Sequence, residues 1–156
     1  MIGAGASSKA YDVVLVLHAV LAIATLVVLL TLRSAAVAVQ RHPAPSEAAR
    51  RTFSGRREVA GRTVHLLPLS GLALLGLSQG RYGLVDGFVL VGLALWLVAA
   101  ALLEGTAFPA QREVAALLKA QDPAVRAPAV RCQRSVELAA LCVVAAAIVM
   151  IANQSG

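Results

Sequence analysis

The stretch DVVLVLHAVLAIATLVVLLTLRSAAVAV, Asp12 to Val39, is built almost wholly of Val, Leu, Ala and Ile. Only Asp12, His18 and Arg33 interrupt it with titratable groups. A transmembrane helix needs about 20 mainly apolar residues to cross roughly 30 Å of hydrocarbon. This stretch exceeds that length, so as a helix it must tilt or project into water at one end. Ala36-Val37-Ala38 has the small-residue look of a leader cleavage site. The apolar run is longer than the roughly 7–15 residues of a leader core, and Lys9 is offset by Asp12, so the segment reads as a retained span.

Working outward, three further apolar blocks follow, at about 62–79, 84–108 and 136–151. The 156-residue chain is 59% apolar and only 14% charged, with a mean hydropathy of +0.79. A soluble domain carries about 45–50% apolar and about 25% charged residues. The excess is gathered into four blocks, which predicts an all-α integral membrane protein: one domain, residues 1–156, folded as an antiparallel four-helix bundle. Loops 40–61 and 109–135 separate the spans. Pro43 and Pro45 break helical continuity in the first of these. The phrase QGRYGLVDG is a tight, glycine-rich turn, which makes spans two and three antiparallel neighbours. In the last loop, Val114, Leu117 and Leu118 keep helical spacing, so Arg112–Gln121 is expected to extend span three or to lie on the interface.

Charge gives the orientation. The first loop region holds Arg41, Arg50, Arg51, Arg56, Arg57 and Arg62, and the last holds Arg112, Lys119, Arg126, Arg131 and Arg134. Outside them stand only Lys9, Arg33 and Arg81. The positive-inside rule then puts both basic loops in the cytoplasm and both termini outside. Tyr11 and Tyr82 fall at the outer interface, where an aromatic belt places them. The net charge of +6 is accounted for by anionic lipid headgroups at the cytoplasmic loops. No basic groove with interleaved aromatics is present, so nucleic acid is not an expected partner.

Enzymatic signatures are missing. HExxH, P-loop and GxSxG patterns do not occur, so no catalytic residue is assigned. Cys132 and Cys142 form no CxxC pair or zinc spacing, and no metal site is expected. The polar groups inside the apolar blocks are the candidates, because hydrocarbon tolerates them only when satisfied or turned inward. Arg33 and Glu104 lie late in spans one and three, and His65 and Glu137 lie early in spans two and four. All four fall at the inner face, where they would form a polar cluster or ligand site. His18 lies toward the outside and differs in depth from His65 by more than about 10 Å. One haem is therefore not expected to take both histidines, and His18 is a candidate single haem ligand. Gly83-xxx-Gly87 matches a small-residue packing pattern, and Trp96, mid-span, is expected to fill a helix interface.

The phrase YDVVLVLHAVLAIATLVVLLTLR, a histidine early in span one followed by a basic loop, a span, a short turn and a span, resembles a family of small uncharacterised bacterial four-helix integral membrane proteins. The resemblance covers most of the chain. More distantly the chain is similar to the four-helix membrane protoporphyrinogen oxidases and copper-resistance membrane domains, which also open with a histidine-bearing helix. The oxidases carry a lysine three residues before that histidine; Leu15 stands there in this chain. The expectation is a bacterial inner-membrane protein acting as a non-enzymatic bundle or accessory subunit, either self-associating or within a larger membrane complex. The alternatives are a haem- or quinone-binding redox protein and an oligomeric proton-coupled transporter that uses the inner polar residues.

Overall fold

Hydrophobic runs of this length have no use for a strand, whose edges would leave backbone groups unpaired in hydrocarbon. The computed structural model describes residues 4–42, 45–55 and 57–154, with side chains over 9–42, 45–53 and 63–153, and every regular element among them is helical. Helix α1 runs Ala4–Arg41, α2 Glu47–Gly55 and α3 Arg57–Leu77. Helix α4, Gly87–Leu102, passes through a π-helical turn, Leu103–Ala107, into α5, Phe108–Ala120. A short 3₁₀ turn, Pro123–Val125, leads into α6, Arg126–Gln154. Three stretches are long and apolar enough to cross a membrane: Lys9–Arg41, Gly87–Ala120 and Pro123–Asn153. Thr63–Leu77 is a shorter apolar helix.

Helix α1 lies against α3 and α6, and α4 lies against α6. His18 of α1 meets Ser70 of α3, and Arg33 of α1 meets Glu137 of α6. Met150 of α6 lies where a Cβ on Gly92 of α4 would come, at 2.9 Å. With Gln40 of α1 meeting Gln133 of α6, α1 and α6 run antiparallel. Helices α3 and α4 touch little despite the tight turn that joins them. They meet through long side chains, chiefly Trp96, rather than by close backbone approach. Gly83 and Gly87 take no part in helix packing. The Gly83 N–H donates to the Asp86 carboxylate within the turn, at 2.8 Å, and nothing stands within 4 Å of a Cβ on Gly87.

The core is concentrated at one end. Leu29, Leu32, Ala36 and Val39 of α1 are buried together with Leu103, Ala107, Val114, Cys132 and Val136. Toward the other end α1 exposes Val13, Val16, Leu17, Val20 and Ile23. Burying apolar area gains roughly 25 cal/mol per Å² only where water is the alternative. Such an exterior is the pattern of a helix whose surroundings are themselves apolar.

Much of both basic loops is helical. Ser46 opens α2, its hydroxyl accepting the Ala49 N–H at 3.3 Å. Ala49 and Phe53, four residues apart on one face, are buried, and Phe53 is fully enclosed. That face packs on α1 and α5. The third span likewise continues past Pro109. Gln121 ends α5 in the left-handed conformation, φ 55°, and Asp122 caps the next turn by accepting the Ala124 N–H at 2.8 Å. Of the basic residues in the first loop region, Arg56 lies outside the described residues, as do the side chains of Arg57 and Arg62.

Candidate functional site

Pro68 sits inside α3 and has no N–H, so the carbonyl four residues earlier, on Val64, loses its helical donor. Val64 is buried, and an unpaired carbonyl there would cost about 1–3 kcal/mol. Trp96 of α4 supplies the missing donor: its Nε1–H bonds the Val64 oxygen at 2.9 Å. The indole also meets His65 edge-on, with ring centroids 6.5 Å apart.

A second proline acts on the facing helix. Pro109 can donate nothing to Gly105, and its ring crowds that carbonyl. The chain answers with the π-helical turn, in which the Phe108 N–H reaches five residues back to Leu103. Glu104 stands in this turn, and its Oε1 lies 3.1 Å from His65 Nε2. An ionised carboxylate only accepts, so Nε2 carries the proton in that bond. Both side chains are about half exposed.

Arg33 and Glu137 form a separate pair. Arg33 Nε donates to Glu137 Oε1 at 2.6 Å, and Gln133 Nε2 donates to the same oxygen at 3.0 Å. Gln40 Nε2 in turn donates to Gln133 Oε1 at 2.7 Å. The four residues thus make one chain of bonds between α1 and α6. Among the described residues no hydrogen bond or ion pair joins this chain to His65–Glu104. The four inner-face candidates occupy two couples on two helix interfaces, not one cluster.

His18 stands apart. Its Nδ1 lies 2.7 Å from Ser70 Oγ, and the Ser70 hydroxyl points to the Leu67 carbonyl at 2.8 Å. A hydroxyl has one proton, so with that proton committed to Leu67 the serine accepts from His18 Nδ1–H. A neutral ring then leaves Nε2 with a free lone pair. Gly71 lies beside the ring, where an added Cβ would come 3.7 Å from His18 Cε1. Ser70 and Gly71 are five and six residues beyond His65, about 7–9 Å along α3. The two histidines are not brought to one point. Among the described residues no group of three or more His, Cys, Asp or Glu side chains is placed to hold a metal ion.

Sequence reasoning expected Ser70 to bond back to its own helix, as it does to Leu67, but missed Gln40, Gln133, the His18–Ser70 bond and the Trp96–Val64 bond. Some of these carried a signal. Gln133 and Glu137 are four apart on α6, and Arg33 and Gln40 are seven apart on α1, so each pair shares a helical face. Pro68 announces an unpaired carbonyl at Val64, and the chain has one tryptophan to answer it. The chain matches no family model, no curated protein and no solved structure.

Proposed function

We propose that the chain is a non-enzymatic membrane bundle of four antiparallel helices, α1, α3, α4–α5 and α6, that assembles with itself or with a larger complex in a bacterial inner membrane. Both termini lie outside and the basic segments lie in the cytoplasm, following the charge asymmetry. The observation that carries this reading is the internal pairing of the polar groups within the apolar helices. Arg33 meets Glu137, His65 meets Glu104, His18 meets Ser70, and Trp96 meets the Val64 carbonyl. A transport path needs polar groups left facing a cavity, whereas here they are spent on joining helices. The exterior is correspondingly apolar, and the branched face of α1 from Val13 to Val27 is available to lipid or to another helix. Blue-native electrophoresis and light scattering of the protein extracted from its native membrane in mild detergent test the idea. The expected mass exceeds that of one 16.1 kDa chain with its micelle. A stable monomer with no co-purifying protein refutes it.

The free Nε2 of His18 favours a second reading, a single-histidine haem or quinone site. A histidine whose other ring nitrogen is held by a neighbour is oriented for ligation. A Soret band in the purified protein that is lost in His18→Ala supports the haem form. A colourless protein that takes up no added haem removes it.

A further inference from the structure

Away from these helix interfaces, at the end where α2 packs on α5, a cavity of about 410 Å³ opens. It is lined by Arg50 and Phe53 of α2 and by Arg112, Ala115, Leu118 and Lys119 of α5 among others. The cavity volume, about 410 Å³, lies in the range of roughly 300–1,000 Å³ typical of small-ligand clefts. Arg112 and Lys119 are seven residues apart, two turns of α5, so they share one face about 10 Å long. Arg50 stands opposite, its Nε directed to the Pro45 carbonyl at 3.4 Å. None of the described lining residues is acidic.

Among the described residues, carboxylates of the same segments are engaged elsewhere. Glu47 pairs with Arg51, Glu113 with Arg131, and the Asp122 side chain caps Ala124. Among the described residues, no ion pair neutralises Arg50, Arg112 or Lys119. Three cations thus line the cavity beside Ala115 and Leu118, with the enclosed Phe53 ring behind them. Depth points the same way. A span that begins at Gly87 has crossed about 30 Å by residue 107, so Arg112 lies roughly 7 Å past the hydrocarbon edge, among the headgroups.

We propose that this cavity is a binding site for the phosphate of an anionic phospholipid, held by Arg50, Arg112 and Lys119 with its glycerol end against Ala115 and Leu118. The shared chemistry is a phosphate, and the position beside the apolar span selects the lipid as its source. Basic pockets between helices on the cytoplasmic side hold such headgroups. The site rests on the membrane reading above but not on assembly, since a single chain can hold the lipid.

Native mass spectrometry of the full chain in detergent tests the proposal, with phosphatidylglycerol or phosphatidylcholine added as the probe. The wild type is expected to retain phosphatidylglycerol and to bind phosphatidylcholine more weakly. Each basic residue near the headgroups contributes about a fivefold change in affinity, so Arg112→Gln alone lowers retention about fivefold. Adding Arg50→Gln and Lys119→Gln abolishes selectivity. A control triple, Arg81→Gln, Arg126→Gln and Arg134→Gln, removes the same charge elsewhere and keeps it. Equal retention in the two triples overturns the proposal, and so does equal binding of the two lipids by the wild type. Inorganic phosphate at millimolar concentration is expected to displace little lipid; full displacement assigns the site to a soluble anion and overturns the lipid. The wild-type arms stand even if a triple variant fails to fold. Failure here leaves the mass measured for the assembled protein unchanged, so the two proposals fall separately.

Discussion

Replacing Trp96 by Phe removes one hydrogen bond and little else from the α3–α4 contact. The expected cost follows from what is left behind. The Val64 carbonyl has no helical donor because residue 68 is proline, and Val64 is 3% exposed, so water cannot readily take the place of the indole. An orphaned buried carbonyl costs about 1–3 kcal/mol, and water is scarcer still in a bilayer. The same oxygen can be satisfied another way. Pro68→Ala restores a backbone N–H at the position that normally pairs with Val64. In the Pro68→Ala background, Trp96→Phe should therefore cost only its packing difference, and the two substitutions should couple by about 1–2 kcal/mol. Unfolding in mixed micelles, titrated with a denaturing detergent and followed by helical circular dichroism, measures all four corners of the cycle. Fluorescence will not serve, because Trp96 is the chain's one tryptophan. If Trp96→Phe costs the same in both backgrounds, within about 0.5 kcal/mol, the indole is mere packing and the assignment of its bond to the proline defect is wrong.

Two further outcomes test the polar network and the core. Glu137→Ala leaves Arg33 without its partner and should cost about 1–2 kcal/mol, less than the roughly 2.5 kcal/mol of a charge at mid-bilayer because a long side chain can turn to the interface. Arg33→Met with Glu137→Met should cost less than Glu137→Ala alone in the same detergent titration; a larger cost for the pair refutes the view that the couple chiefly neutralises itself. Gln111 is 4% exposed and its Oε1 has no partner, so Gln111→Met should raise the unfolding midpoint by an amount equivalent to about 1 kcal/mol. A lowered midpoint would mean that the amide contributes more than it costs.

Hydropathy made the helical class legible, because four apolar blocks in so short a chain leave few other ways to satisfy the backbone. The pairing of Arg33 with Glu137 and of His65 with Glu104 was half legible. Depth placed all four at one end, but depth carries no azimuth, and azimuth decides which interface a side chain enters. Here it splits them between α1–α6 and α3–α4. The extension of span three through Arg112–Gln121 was legible from Val114, Leu117 and Leu118, but the first basic loop was misjudged. Pro43 and Pro45 signal a break, and the charge suggests solvent, yet Ser46 restarts the helix and Ala49 with Phe53 supplies an apolar face. A nine-residue helix has too few apolar positions to stand out beside spans of thirty or more residues. Spacing misled for two glycines: Gly83 lies in the turn, and Gly87 opens α4 with nothing within 4 Å of an added Cβ. Gly92, with Met150 against it, is where α4 and α6 approach.

The α3–α4 interface also explains how two helices that barely touch are kept together. Pro68 in α3 and Pro109 at the start of α5, where α4 continues, stand where a helix would ordinarily close its own hydrogen bonds, and each defect is answered from across the gap or turned toward it. Pro68 exposes the Val64 carbonyl, and Trp96 reaches over to fill it. Pro109 forces the π-helical turn, and that turn holds Glu104 within reach of His65. A regular helix offers its neighbour only side-chain packing, since its backbone groups are already paired. Defects make backbone polarity available to a partner, and in an apolar surrounding an unmet donor or acceptor is a strong reason to find one. The two prolines thus help hold together the contact they would be expected to weaken. They do so through two side-chain bonds, Trp96 to Val64 and His65 to Glu104, while the two backbones stay apart.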